Sequence, residues 1–199
     1  MVIRLVFALA VALLVCNPAR ANADIDQLLK AAISQVGVTR SYDSAYVRLA
    51  YPGGDVPLDR GVCADVVIRA MRALGVDFQV KLHEDMRAHF SAYPTRWGLK
   101  GPDPNIDHRR VMNLETWFAR EGKTVPTSAN ALDYLPGDFV SWRLEEGQPH
   151  IGIVADLRSA DGVRPLIIHN IGAGTRIEDV LFAWSISGHY RWFAASASP

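Results

Sequence analysis

The stretch from Leu135 to His169 reads LPGDFVSWRLEEGQPHIGIVADLRSADGVRPLIIH, and its punctuation decides the fold. Pro136-Gly137-Asp138 is a turn that hands over to Phe139-Val140-Ser141-Trp142. Glu145-Glu146-Gly147 then forms a hairpin tip before His150-Ile151-Gly152-Ile153-Val154. A further turn at Ser159 to Gly162 precedes Leu166-Ile167-Ile168-His169. Short runs rich in β-branched and aromatic residues, bounded by Gly, Pro, Asp and Ser, predict antiparallel strands joined by hairpins. Tyr190-Arg191-Trp192-Phe193 is expected to close the sheet.

Upstream the texture is helical. Ile25, Leu28, Leu29, Ala32, Ile33 and Val36 recur at helical spacing after Asp24, with Gly37 as the stop. A second helix is expected from Cys63 to Leu74, its buried stripe made by Val66, Ala70 and Leu74 and its end by Gly75. Val76 to Leu82 reads as a short strand and Glu84 to Tyr93 as helix. Leu114 to Glu121 reads as a helix capped by Asn113 and closed by Gly122. Residues 38–62, with Tyr51-Pro52-Gly53-Gly54-Asp55-Val56-Pro57, read as an ordered loop, and 97–110 as a long polar connection. Helices first and a meander of strands after them is the pattern of an α+β domain. No repeat or low-complexity linker divides the chain, so one domain is expected over 24–199.

The N-terminus reads as a leader. Arg4 precedes a twelve-residue apolar run from Leu5 to Cys16, and a small-residue stretch ends at Ala21-Asn22-Ala23. This is the layout of a secretory signal cleaved after Ala23. Twelve apolar residues are too few to cross roughly 30 Å of hydrocarbon as a helix. Export to the periplasm or medium without stable membrane insertion is therefore expected. Without Arg4 and Arg20, 19 basic residues stand against 21 acidic ones, and no basic stripe speaks for nucleic acid. Oligomeric state is not legible.

After cleavage the chain keeps a single cysteine, Cys63. A lone thiol in an oxidising compartment is an inert core residue, an intermolecular bridge or a reactive group. Cys63 stands where a loop hands over to a helix, so backbone N–H groups should point at its sulfur and lower its pKa. Asp65 lies about 200° further round the helix and should support the helix terminus. A general base must come from elsewhere in the chain. Among six histidines, His150 opens one predicted strand and His169 ends the next, so a hairpin brings the two together. An accessible, low-pKa thiol paired with His150 is the resulting expectation.

Gly53-Gly54 nine residues ahead of Cys63, Pro136-Gly137-Asp138, His150-Ile151-Gly152-Ile153-Val154 and Ile168-His169 together resemble the papain-like cell-wall cysteine peptidases of the NlpC type. Over about residues 42–193 the chain looks more closely like a family of exported bacterial proteins of unassigned function within that superfamily. Shared runs are Tyr51-Pro52-Gly53-Gly54-Asp55, Pro104 to Arg110 and His169-Asn170-Ile171-Gly172. The resemblance implies a papain-like α+β fold with Cys63 as nucleophile, His150 as base and His169 as the orienting residue. Asn170 is the alternative for that third role, because papain itself uses an asparagine. It also implies Tyr51 beside the cleft. The NlpC group has Asp before the cysteine and Ser-Gly after it, whereas Val62 and Ala64-Asp65 stand here.

The implied reaction is hydrolysis of an amide, with peptidoglycan stem peptides or another peptide as substrate. Acyl transfer, deamidation and non-catalytic wall binding are the alternatives. Asp65, His108, Arg109 and Asn170 join Tyr51 as candidate substrate contacts, since the polar connection could hold a charged peptide. Its other reading is a loop bonded to itself through Asp107 with Arg109 or Arg110. His83 and His89 are six apart, about 120° round a helix rather than on one face, so no zinc-protease site is expected. No cofactor is expected either.

Overall fold

The computed structural model describes residues 18–193. Among these, four α-helices come first: α1 (Pro18–Ile33), α2 (Cys63–Arg72), α3 (Phe78–His89) and α4 (Val111–Arg120). Two-residue strands β1 (Ser41–Tyr42) and β2 (Arg60–Gly61) pair in parallel between α1 and α2. The main sheet follows from β3 (Phe139–Arg143), β4 (Pro149–Arg158), β5 (Pro165–Asn170), β6 (Thr175–Glu178) and β7 (Ser185–Tyr190). All its pairings are antiparallel, in the order β6-β5-β4-β3-β7. The fold is α+β.

One sheet face carries Phe139, Ile151, Ile153, Ile168 and Tyr190 against the helices, where Leu28, Val67, Met71, Phe78, Leu114 and Phe118 complete the larger core. Val140, Trp142, Val154 and Ile167 alternate with them and form a smaller core with Tyr134 and Leu181. The side-chain period of two thus makes one sheet serve two cores.

Several elements differ from the sequence reading, and the expected loop 38–62 carries the short β1 and β2. The expected strand Val76–Leu82 is the start of α3, because Phe78, Leu82 and Met86 are buried at i, i+4 and i+8, a helical stripe. Asp77 caps that helix by accepting the Gln79 N–H at 3.0 Å. Helix α4 starts at Val111 instead of Leu114. Asn113 does not cap it, and its buried side chain instead donates to the Asp107 carbonyl at 3.1 Å. The closing strand is Ser185–Tyr190 rather than Tyr190–Phe193. Arg191 leaves the sheet to pair with Asp138, and Trp192 packs on Phe78 and Trp117. Edge strand β6 had no counterpart in the sequence reading.

The first helix begins at Pro18, ahead of Asp24. The expected leader Met1–Ala23 falls partly on residues 1–17, which lie outside the described residues. No described helix is long and apolar enough to cross a membrane.

Candidate active site

Helix α2 starts at Cys63 because the chain arrives extended at Val62 and Asp65 folds back to accept the Val62 N–H at 2.6 Å. Asp65 is itself buried and meets Arg109 through Nε at 3.0 Å and Nη2 at 3.0 Å. The remaining Arg109 donors reach the carbonyls of Ala45 (3.1 Å) and Asp43 (2.9 Å). Arg109 therefore pins the loop after β1 to the root of α2, and its side chain is 1% exposed. Asp65 and Arg109, both candidate substrate contacts, are spent on each other and on backbone.

Helix α2 packs on β4 and sets the Cys63 sulfur against the backbone N–H of Ile151, the residue after His150. The N–H groups of Cys63 and Ala64 also reach the sulfur. Tyr42 lies beside Cys63 on the loop side of the cleft, and burial, with Cys63 adding to it, raises the pKa of its hydroxyl. Cys63 is 2% exposed, so the expectation of an accessible, low-pKa thiol is not met. Burial pushes the thiol up to about 11 and outweighs the backbone donors, and the Asp65 carboxylate adds to the rise.

Strands β4 and β5 bring the two histidines together. His150 Nε2 lies 2.9 Å from His169 Nδ1, and His169 Nε2 lies 3.0 Å from Glu178 Oε2 on β6. Trp142 and Trp184 wall the His150 ring, with centroids 5.8 Å away in each case. Burial, reinforced by His169, holds His150 down at about 3. Burial also lowers His169, with Glu178 pulling the other way. His150 Nδ1 has no hydrogen-bond partner among the described residues.

A cleft of about 420 Å³ opens over Cys63, walled by Tyr42, Tyr46, Trp97, Ile106, Arg110 and Gln148 among others. Arg110 lies 4.2 Å from the Trp97 ring centroid and pairs with Asp107 at 3.1 Å. The polar connection is largely bonded to itself and to its neighbours. Asp103 and Asn105 hold the Tyr46 hydroxyl at 3.0 and 3.1 Å, and Asn105 accepts the Leu49 N–H at 2.9 Å.

The other sequence candidates lie elsewhere. Tyr51 is absent from the cleft walls, and its ring packs edge-on to His83 at 5.1 Å. His108 is buried behind the cleft near Arg72 and Asp77, with Nδ1 unpartnered, and burial lowers it to about 3. Asn170 is buried and donates to the carbonyls of Gly61 (2.9 Å) and Ser41 (3.3 Å), tying β5 to the small parallel ladder. It is His169, not Asn170, that touches His150. Tyr42 and Glu178 escaped the sequence reading. Tyr42 carries no signal apart from lying upstream of Cys63, and Glu178 sits on the unread edge strand. No group of metal-holding side chains occurs among the described residues.

Fold and site together define an α+β domain in which a helix-start cysteine lies under an open cleft and a hydrogen-bonded histidine pair on the adjacent strands packs against Trp142 and Trp184. A family model described as "Domain of unknown function (DUF1287)" matches residues 29–192, and the chain belongs to that family. It is also 62% identical over 159 residues to the "Uncharacterized protein YijF" of Escherichia coli (strain K12), covering 80% of this chain and 77% of that protein.

Proposed function

We propose that this chain is an exported cysteine hydrolase of papain-like design, with Cys63 as nucleophile, His150 as base and His169 as the residue that orients it. The observation carrying the reading is the position of the Cys63 sulfur. It lies at a helix start against the backbone N–H of Ile151, the residue that follows His150, whose Nε2 is held by a second histidine 2.9 Å away. These supply the nucleophile, base and orienting group that the reading requires, with the His150 ring turning from Trp142 toward the sulfur for attack.

At rest the pair is neutral, a thiol pushed up to about 11 beside an imidazole held down at about 3. Ionisation therefore accompanies attack. His150 Nδ1 takes the thiol proton as Sγ bonds to the amide carbonyl carbon. The backbone N–H of Cys63 and the Tyr42 hydroxyl donate to the oxyanion. The His150 imidazolium then protonates the leaving amine, the C–N bond breaks, and water releases the acyl group from the thioester by the same base.

The substrate proposed is an amide of a peptidoglycan stem peptide or its crosslink. A cleft of about 420 Å³ suits a short peptide. Arg110 on its wall, paired with Asp107 through Nη1 alone, is the cation to meet a substrate carboxylate, since the Arg109 donors are consumed. Mass spectrometry of purified peptidoglycan fragments after incubation with wild-type and Cys63→Ala protein is the test. Amide cleavage by wild type alone is expected. Fragments left unchanged by both proteins would remove the wall substrate.

A further inference from the structure

The pair His150–His169 does not end at the second ring. His169 Nε2 meets a carboxylate oxygen of Glu178 at 3.0 Å, on the strand beyond. A carboxylate only accepts, so that nitrogen must carry a proton. Burial keeps His169 neutral at pH 7, and a neutral imidazole holds one ring proton. Its Nδ1 is then a bare acceptor. His150 Nε2, 2.9 Å away, must be the donor to it. A neutral His150 with its proton on Nε2 presents a lone pair at Nδ1, the one form able to take a proton from a thiol.

We propose that Glu178 is a positioning residue that sets the tautomer of both rings and so makes His150 a base at Nδ1. This extends the cysteine-hydrolase reading, but its chemistry stands on the rings themselves. Without Glu178, no other described residue bonds His169 Nε2 to choose between the two tautomers. With the proton moved to His169 Nδ1, that nitrogen would donate to His150 Nε2, and the His150 proton would sit on Nδ1 and block it. The carboxylate also steadies the positive charge that His150 acquires during attack, relayed through His169.

The charged and titratable groups around His169 are few. Glu178 and Arg176 come from β6, with Arg176 Nη1 3.7 Å from the other Glu178 oxygen, and His150 comes from β4. Helix α2, packed on β5, carries Cys63 together with Asp65, Arg69 and Arg72, which are tied to Arg109, Asp55 and Asp77. The Glu178 side chain is 35% exposed, so this end of the chain of hydrogen bonds touches solvent while both rings are buried.

The test is nuclear magnetic resonance of ¹⁵N-histidine-labelled full-length protein near pH 7. Long-range nitrogen–proton correlations report the tautomer of each ring. Both His150 and His169 should be protonated at Nε2 in wild type. Glu178→Leu should shift either or both rings toward Nδ1 protonation. Glu178→Gln keeps the shape and removes the charge, and should lower the His169 titration midpoint by about one pH unit. Wild-type rings protonated at Nδ1 would overturn the proposal. So would a folded Leu variant with unchanged rings, and if that variant does not fold, an unmoved midpoint in the Gln variant would do so. None of these readouts needs turnover, so a missing hydrolase activity would refute the activity reading and leave this one standing.

Discussion

Two residues carry the proposed chemistry, and their neighbours show why the rest of the candidates do not share it. Cys63 and His150 act as one unit, so Cys63→Ser and His150→Ala should each lower turnover of stem-peptide fragments by several orders of magnitude. The double variant should be little worse than either single one. His169→Ala should cost less, since water can occupy the space beside Nε2 of His150. Asn170→Ala is the informative contrast. Its side chain holds the carbonyls of Gly61 and Ser41 rather than a ring, so it should lower Tm while kcat per folded molecule changes far less than for His169→Ala. Steady-state kinetics with thermal unfolding separate the two. A kcat loss from Asn170→Ala exceeding that from His169→Ala would return the third role to the asparagine.

At the scale of elements, the site depends on how closely β4 and β5 approach. Gly152 sits between them, and a Cβ there would stand 2.6 Å from Ile167 Cγ2, 3.1 Å from the Ile168 carbonyl oxygen and 3.2 Å from His169 Cβ. Backbone on one side and a core isoleucine on the other leave little room to give. Gly152→Ala should therefore destabilise by about 1–3 kcal/mol, as overpacking does. It should also push His169 away from His150, two residues before the glycine. Urea unfolding measures the first effect, and the histidine tautomer signals measure the second. A variant of wild-type stability with unchanged histidine signals would mean the strands part freely. The same element scale explains the misread α3. Val76, Phe78 and Val80 have strand-like propensity, yet the packed partners of Phe78, namely Trp117, Phe118 and Phe139, reward the helical stripe.

For the whole molecule, buried histidines set the acid response. His108 and His150 are both held near about 3 by burial, against an ordinary value of 6.5. Folded, they stay neutral where the unfolded chain is protonated. Unfolding thus takes up protons, and stability that is complete above pH 6.5 is lost as pH falls toward 3. The limiting slope is about 1.4 kcal/mol per pH unit for each ring. Asp85, held low by the hydrogen bond from Arg120, adds to the loss only in the more acidic carboxylate range. Urea midpoints at pH 7.5, 6 and 5 should fall steadily, and His108→Gln should reduce the slope without touching the site, the other lowered rings, His150 and His169 among them, keeping the rest. Flat midpoints over that range would show that the rings ionise in the folded protein. Local signals in the sequence were enough for the α+β order, the hairpins around His150 and His169, and Cys63 at a helix start. Turns, hydrophobic period and helix stops act within a few residues, and those positions are written in them. The partners of Arg109, the place of Asn170, the burial that lifts the Cys63 thiol, and the Tyr42 and Glu178 contacts were decided only by the tertiary structure. Each joins residues distant in the chain or separated by a turn, through packing and desolvation that no local pattern encodes.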